Sequence, residues 1–362
     1  MKNLIGLTKI ELIEELETIG FKPFRASQIW NHIYVRGVQD FSKMSDISRE
    51  NQEILAQKYS LVRPKISQDF LAQDGTRKWL VKFADNNEVE AVFIPEENRA
   101  TLCISSQIGC TLACKFCHTG TQTLVRNLTV EEIIAQILIA KDCLKDYTNN
   151  PPKLTNIVFM GMGEPFYNYD NVKKAIEIML DQKGLSFAAR RITVSTSGLV
   201  PEILKAAKEL KTTLAISLHS ANDAVRSKIM AINKKYPLDK LMKACKIYNK
   251  ENKNHKITFE YVMLQNINDS DEQARELVAI IKKYNLDAKI NLIPFNQWMS
   301  CGFEKSSGNR IMAFQKILKG AGLVAPIRKT RGDDVMAACG QLKSESQRNR
   351  IGTRHTPTIT FF

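Results

Sequence analysis

The chain has 362 residues and carries 52 Lys or Arg against 38 Asp or Glu, a net charge of +14. That length buries a core without covalent staples, and eight cysteines are far too few for a disulfide scaffold. No apolar run nears the roughly 20 residues that span a bilayer, and the opening MKNLIGLTKIELIEEL is amphipathic and acidic rather than a signal peptide, so a cytoplasmic protein with no membrane partner is expected.

Residues 1–64 are expected to form a small N-terminal helical accessory domain. Thr8 with Glu11 has the form of a capping box, and Ile10, Ile13, Leu16 and Ile19 repeat on one face. Residues 65–100 change texture: RKWLVKF and VEAVFIP, joined across Asp85-Asn86-Asn87, predict a β-hairpin linker packing on the core. From 101 to 342 the strand-like runs TLCISS, TNIVFM, RITVST, TLAISL, ITFEYVML and KINLIP alternate with helical patterns near 130–144, 170–182, 201–210, 238–249, 270–284 and 310–319. Six strand-then-helix units imply an α/β core, either an open doubly wound sheet or a barrel and its incomplete relatives, and periodicity does not choose between them. Residues 343–362 read as a basic, flexible tail.

In either architecture the loops after the strand C-termini gather at one rim and carry the chemistry. Those loops hold the cysteines at 110, 114 and 117, then GMGEP at 161–165, STSG at 195–198, SLHS at 217–220 and PFN at 294–296. Three readings compete for the cysteines. Structural zinc wants four soft ligands, often as two C-x2-C pairs, and no second pair appears. Three unrelated buried thiols fit poorly with clustering in one loop. A four-iron cluster held by three thiolates leaves one iron open to a substrate or cofactor.

The spacing C-x3-C-x2-C of Cys110, Cys114 and Cys117, with Phe116 before the last, resembles the signature of radical S-adenosylmethionine enzymes. The resemblance implies one [4Fe-4S] cluster whose open iron is chelated by S-adenosylmethionine, which yields a 5′-deoxyadenosyl radical. GMGEP alone would be an ordinary glycine turn; downstream of these cysteines it resembles the superfamily's second element.

SSQIGC, FMGMGEPFYNYDNV, RRITVSTSGLVP, AISLHSANDAVRSKIMAINKKYPL, KINLIPFN and RKTRGDDVMAACGQL extend the likeness from about residue 74 to 342, to the RlmN/Cfr family of RNA adenine methyltransferases, on its adenine-C2 side. The implied fold is a radical-SAM partial (β/α)6 barrel. The implied substrates are 23S rRNA at the peptidyl-transferase region and tRNA beside the anticodon, with a flavodoxin-type electron donor and a monomeric enzyme. The resemblance assigns Cys339 as the carrier of a methyl group, Glu90 as the proton acceptor at C2, and Cys103 as the thiol that attacks Cys339 and frees the product through a Cys103–Cys339 disulfide. It also assigns Gly163, Glu164, Ser195, Ser217, Leu218, His219 and Asn296 to S-adenosylmethionine. Arg328, Lys329 and Arg331 are candidates for RNA phosphates. Taken alone, Glu90 would be a surface carboxylate, Cys339 a small buried thiol and His219 a satisfied strand-end histidine. Adenine-C8 methylation and a metal-containing RNA-binding protein without catalysis are the rival expectations. Cys143, Cys245, Cys301 and His118 receive no role.

Overall fold

The computed structural model describes residues 1–149, 151–253, 256–298 and 301–344. At the N-terminus, strands β1 (Lys2–Asn3) and β2 (Tyr59–Ser60) pair in parallel around helices α1 (Lys9–Glu17), α2 (Pro23–Tyr34) and α3 (Arg49–Lys58). The capping box forms as the sequence predicts: Glu11 N donates to Thr8 Oγ1 at 3.2 Å and Thr8 N to the Glu11 carboxylate at 2.9 Å. These helices do not stand apart. Trp30, buried on α2, donates from Nε1 to Asp181 at 3.1 Å, Asn3 Nδ2 donates to Glu131 at 2.7 Å, and one apolar cluster runs from Leu4 to Leu342.

The chain next builds an antiparallel meander, β3 (Lys65–Leu71), β4 (Arg77–Lys82), β5 (Glu88–Glu96) and β6 (Arg99–Cys103). The predicted turn at 85–87 closes β4 onto β5, with Asn86 at φ +65°. The strand β3 escapes a sequence reading because nearly all of KISQDFL is exposed; the ladder to β4 holds it rather than burial of one face. The hairpin is no separate layer, since β5 and β6 continue it into the core sheet.

After β6 a two-strand clamp, β7 (Gln107–Ile108) with β8 (Arg126–Asn127), closes the neck of the cysteine loop. Five further strands follow, β9 (Asn156–Phe159), β10 (Ile192–Thr196), β11 (Thr213–Ser217), β12 (Ile257–Met263) and β13 (Ala288–Pro294), and each pairs in parallel with the strand before it, beginning from β6. The nine-stranded order is β13-β12-β11-β10-β9-β6-β5-β4-β3. A doubly wound sheet reverses its strand order at a switch point. Here the parallel half advances in one direction without reversal and its two edges do not meet, which makes it the partial (β/α)6 barrel. The connecting helices are α4 (Val130–Leu144), α5 (Tyr169–Leu180), α6 (Val200–Glu209), α7 (Asp223–Ile229), α8 (Ile232–Lys235), α9 (Leu238–Glu251), α10 (Asp271–Tyr284) and α11 (Gly308–Gly320). Of these, α7 and α8 are too short to give a readable period. The tail expected beyond residue 342 lies, from 345 onward, outside the described residues; Lys343 and Ser344 before it pack on the core.

Candidate active site

The loop between β7 and β8 is tied at its neck by Val125 N to Ile108 O at 2.8 Å and Cys110 N to Gln122 O at 3.2 Å. Inside it, Cys117 N donates to Cys114 O and Gly120 N to Cys117 O, both at 3.0 Å. Gly120 is required there, because a Cβ would stand 2.6 Å from Cys114 O. The folded loop presents Cys110, Cys114, Phe116 and Cys117 to a cavity of about 990 Å³, counting its open mouth. Gly163, Glu164, Ser195, Ser217, His219, Arg328 and Cys339 line the same cavity. Leu218 and Asn296 do not line it: Leu218 is fully buried, and Asn296 is spent on Cys339 O and Thr330, each at 3.2 Å.

Burial pushes the Cys110 thiol up to about 12 and raises Cys114 and Cys117 as well, with mutual repulsion of the would-be thiolates adding to it. Such a trio ionises only with positive charge in its midst. Among the described residues no three His, Cys, Asp or Glu side chains close on a point tightly enough to hold one metal ion. The thiols instead line the wall of a chamber. A four-iron cube takes each thiolate on a different iron, so a spread trio facing a common space is the arrangement it requires. The residues present therefore fit the cluster.

The opposite wall is a set of loops locked to one another. Gly163 sits at φ +96°, where a Cβ would fall 2.4 Å from the Gln107 side chain, so only glycine lets the GMGEP turn approach the cysteine-loop neck. Glu164 N donates to Gln107 Oε1 at 2.8 Å, and its own carboxylate accepts Ser197 N at 2.8 Å and Phe166 N at 3.1 Å. Burial raises its pKa to about 7 against those amides. Arg226, fully buried on α7, donates to Ser197 O at 2.8 Å, Ser217 O at 3.0 Å and Leu218 O at 2.9 Å, riveting STSG to SLHS. His219 is buried at φ +58°, and burial lowers its pKa to about 3. Its Nδ1 accepts Val262 N at 3.0 Å, which puts the ring proton on Nε2, and its ring meets Phe116 edge-on at 4.5 Å.

Cys339 arrives on an irregular segment, a strap that lines the cavity beside the cysteine loop. His118 N donates to Gly340 O at 2.7 Å, Thr119 Oγ1 to Leu342 O at 2.5 Å, Gln341 Nε2 to Gln297 O at 2.9 Å, and Lys343 N to Glu90 at 2.8 Å. His118 also stacks on Trp298 at 4.6 Å, whose indole donates to Phe116 O at 3.1 Å, so this histidine fastens the cysteine loop to the strap. Cys103, buried at the end of β6, and Cys339 lie close enough that their thiolates would repel: burial first and then Cys339 push the Cys103 thiol up, opposed by Arg328. Arg328 faces both sulfurs and Glu260, whose Oε2 lies 3.9 Å away, so its guanidinium belongs to the cavity wall. Lys329 is exposed, and Arg331 lies 3.7 Å from Asp74.

Glu90 is 3% exposed, and no sequence pattern showed the partner that lets it be so. Lys78, on the neighbouring strand β4, puts Nζ 2.9 Å from Glu90 Oε1 and also donates to Met336 O at 3.2 Å. Burial raises the Glu90 pKa, and the Lys78 ammonium holds it down against that rise. In the register Leu80 faces Glu90 and Lys78 faces Val92, so the two charges share a face diagonally. Lys78, Arg226 and Glu260 all evaded the sequence reading: Glu260 lies in a strand buried throughout, where alternation vanishes, Lys78 sits among other basic residues of β4, and α7 is too short to show which of its polar residues turns inward.

With this geometry in place, residues 104–278 match the radical SAM superfamily, and residues 2–61 match the ribosomal RNA large subunit methyltransferase N-terminal domain. The dual-specificity RNA methyltransferase RlmN of Dinoroseobacter shibae is 50% identical over 96% of this chain and 91% of its own length, and that of Sinorhizobium fredii is 50% identical over 96% and 89%. A solved radical SAM methyltransferase from Sphaerobacter thermophilus superposes with a TM-score of 0.89 at 39% identity, covering 94% of this chain and 99% of its own. The chain belongs to the RlmN family of dual-specificity RNA methyltransferases, radical SAM enzymes that work with a four-iron cluster and S-adenosylmethionine.

Proposed function

We propose that this methyltransferase acts on C2 of adenine in 23S rRNA and in tRNA, with Cys339 as methyl carrier, Glu90 as proton acceptor and Cys103 as resolving thiol. Adenine C2 lies between two ring nitrogens and is too electron-poor to attack a sulfonium methyl, so the new carbon bond needs a radical route. Cys110, Cys114 and Cys117 would hold the cluster, which when bound would supply the electron that such a route needs. The observation that carries the reading is Cys339 lining the same cavity as those three cysteines.

Gly163, Glu164, Ser195, Ser217, Leu218, His219 and Asn296 are proposed to shape the S-adenosylmethionine site, some by contact and Leu218 by packing beneath it. The two sulfur roles need opposite things. A carrier must move, and Cys339 sits on a strap without regular structure; a resolving thiol must wait, and Cys103 is fixed in the β-ladder. Attack of the Cys103 thiolate on the Cys339 sulfur forms the S–S bond and breaks the S–C bond to the RNA, and the released carbon takes a proton to become methyl. Lys329 and Arg331, with Arg328 in the cavity wall behind them, are proposed to meet phosphates of an unstacked target region. The enzyme is read as a monomer served by a flavodoxin-type donor. With Cys103→Ala, a covalent protein–RNA species should accumulate under turnover and be visible by denaturing gel. Free methylated product at the normal rate would contradict the assignment, and nuclease mapping showing methyl at C8 would place the enzyme on the other branch of the chemistry.

A further inference from the structure

Neighbouring residues of the cysteine loop face opposite ways. Cys114, Phe116 and Cys117 line the inner cavity, whereas Ala113 and Lys115 line a separate outer groove, and the two depressions share no lining residue. The loop is therefore a wall about one residue thick between the cluster's chamber and the surface. Its outer side is fixed to the barrel where Lys115 N donates to Ile229 O at 3.0 Å, which sets the loop against α7. The rest of the groove comes from α7, α8 and the link between them and includes Lys228, Ala231 and Lys234. Lys115, Lys228 and Lys234 are exposed, none of them forms an ion pair among the described residues, and no acidic residue lines the groove.

We infer that this groove is the docking site of an acidic, one-electron carrier protein that reduces the cluster through the Ala113–Lys115 wall. The inference rests on Cys110, Cys114 and Cys117 being the cluster ligands. Electron tunnelling falls off steeply with distance, so a protein donor has to settle where its own centre comes nearest the iron. The cavity itself does not serve, because Cys339 and Gly340 line it and the RNA base has to reach that sulfur. The groove reaches the same loop from behind. Three unpaired ammonium groups around exposed alanines suit a transient electron-transfer contact, which is small and relies on charge to steer the encounter rather than on a large apolar interface. In the step the carrier loses one electron and the cluster gains it, and neither a bond nor a proton changes hands.

The test uses the full-length, cluster-loaded protein and its Lys115→Glu/Lys228→Glu variant. Four quantities are measured: flavodoxin affinity by titration, methylation driven by flavodoxin with its reductase and NADPH, methylation driven by dithionite, and RNA affinity. The expected result is flavodoxin binding weakened about tenfold or more, with the flavodoxin-driven rate falling alongside and wild-type binding weakening as salt rises. The dithionite-driven rate and RNA affinity should stay unchanged. Unaltered flavodoxin binding overturns the proposal. So does an equal loss with dithionite, or weakened RNA binding, which assigns the groove to RNA. If the double variant does not fold, Lys228→Glu alone, exposed on α7, gives the same comparison with a smaller shift. A wild-type protein purified anaerobically without iron would instead defeat the ligand assignment beneath it, independently of any donor.

Discussion

The two sides of the cavity are built on different principles. On the barrel side, GMGEP, STSG and SLHS leave adjacent parallel strands and are locked by buried groups: the Glu164 carboxylate on Ser197 N, and Arg226 on three carbonyls. The Cys339 strap has no ladder at all and is held by single hydrogen bonds to the cysteine loop, to Gln297 and to Glu90. A cofactor cradle has to be preorganised, and a strand-end loop gives that rigidity. A sulfur that meets a methyl donor, then an RNA base, then a second thiol has to change position. Bonds that break one at a time permit that movement, while a β-ladder would forbid it.

Removing the carrier breaks this comparison most completely. Cys339→Ala should leave the fold and iron content intact while methylation drops at least about a thousandfold, because no other group can hold the methyl in transit. Methylated RNA at an ordinary rate from this variant would mean that the strap carries nothing.

The strap's tie to the base comes next. Lys78→Met strips the buried Glu90 of its ammonium, leaving an uncompensated charge of the kind that costs about 3–5 kcal/mol. Burial already raises the Glu90 pKa and Lys78 opposes that rise, so the variant's pKa moves further up. A carboxylate accepts a proton only when ionised, so the acidic limb of the activity–pH profile should shift to higher pH, with activity at neutral pH reduced about tenfold or more. Lys78→Arg should recover part of it. A profile that is unmoved would detach Lys78 from the base.

The smallest effect concerns one hydroxyl, which fastens the strap and also reaches the Cys117 sulfur. Thr119→Val keeps the shape and removes the donor to Leu342 O, a loss of about 1 kcal/mol, so the strap should open roughly fivefold more often. Faster hydrogen exchange at 339–344 with the barrel strands unchanged is the expected signature. Uniform exchange across the molecule would show the strap to be part of the core.

The same contrast decides what is legible in the amino-acid sequence alone. The six parallel strands were legible because short apolar runs bounded by turn residues recur at regular spacing, and Thr8-Glu11 and Thr129-Glu132 are local enough to identify helix starts. The cysteine trio was legible because its spacing lies within one loop. The choice between a doubly wound sheet and a barrel was not, since strand order is set by long-range pairing. Cys339 and Cys103 lie far apart in the chain, and only resemblance linked them; no periodicity does so. Asn296, assigned to the cofactor by the same resemblance, is turned here toward the Cys339 carbonyl, a contact that belongs to the strap's position rather than to the loop's sequence. Lys78 lies inside RKWLVK, whose central residues are all buried, and its match to Glu90 depends on the register of two strands.

The most direct test is mass spectrometry of the peptide containing Cys339 from protein purified after exposure to S-adenosylmethionine. The added mass of one methyl group on Cys339, absent from Cys103 and lost after a single round with RNA and reductant, is the predicted result. An unmodified Cys339 in enzyme that nonetheless methylates RNA would contradict the account at its centre.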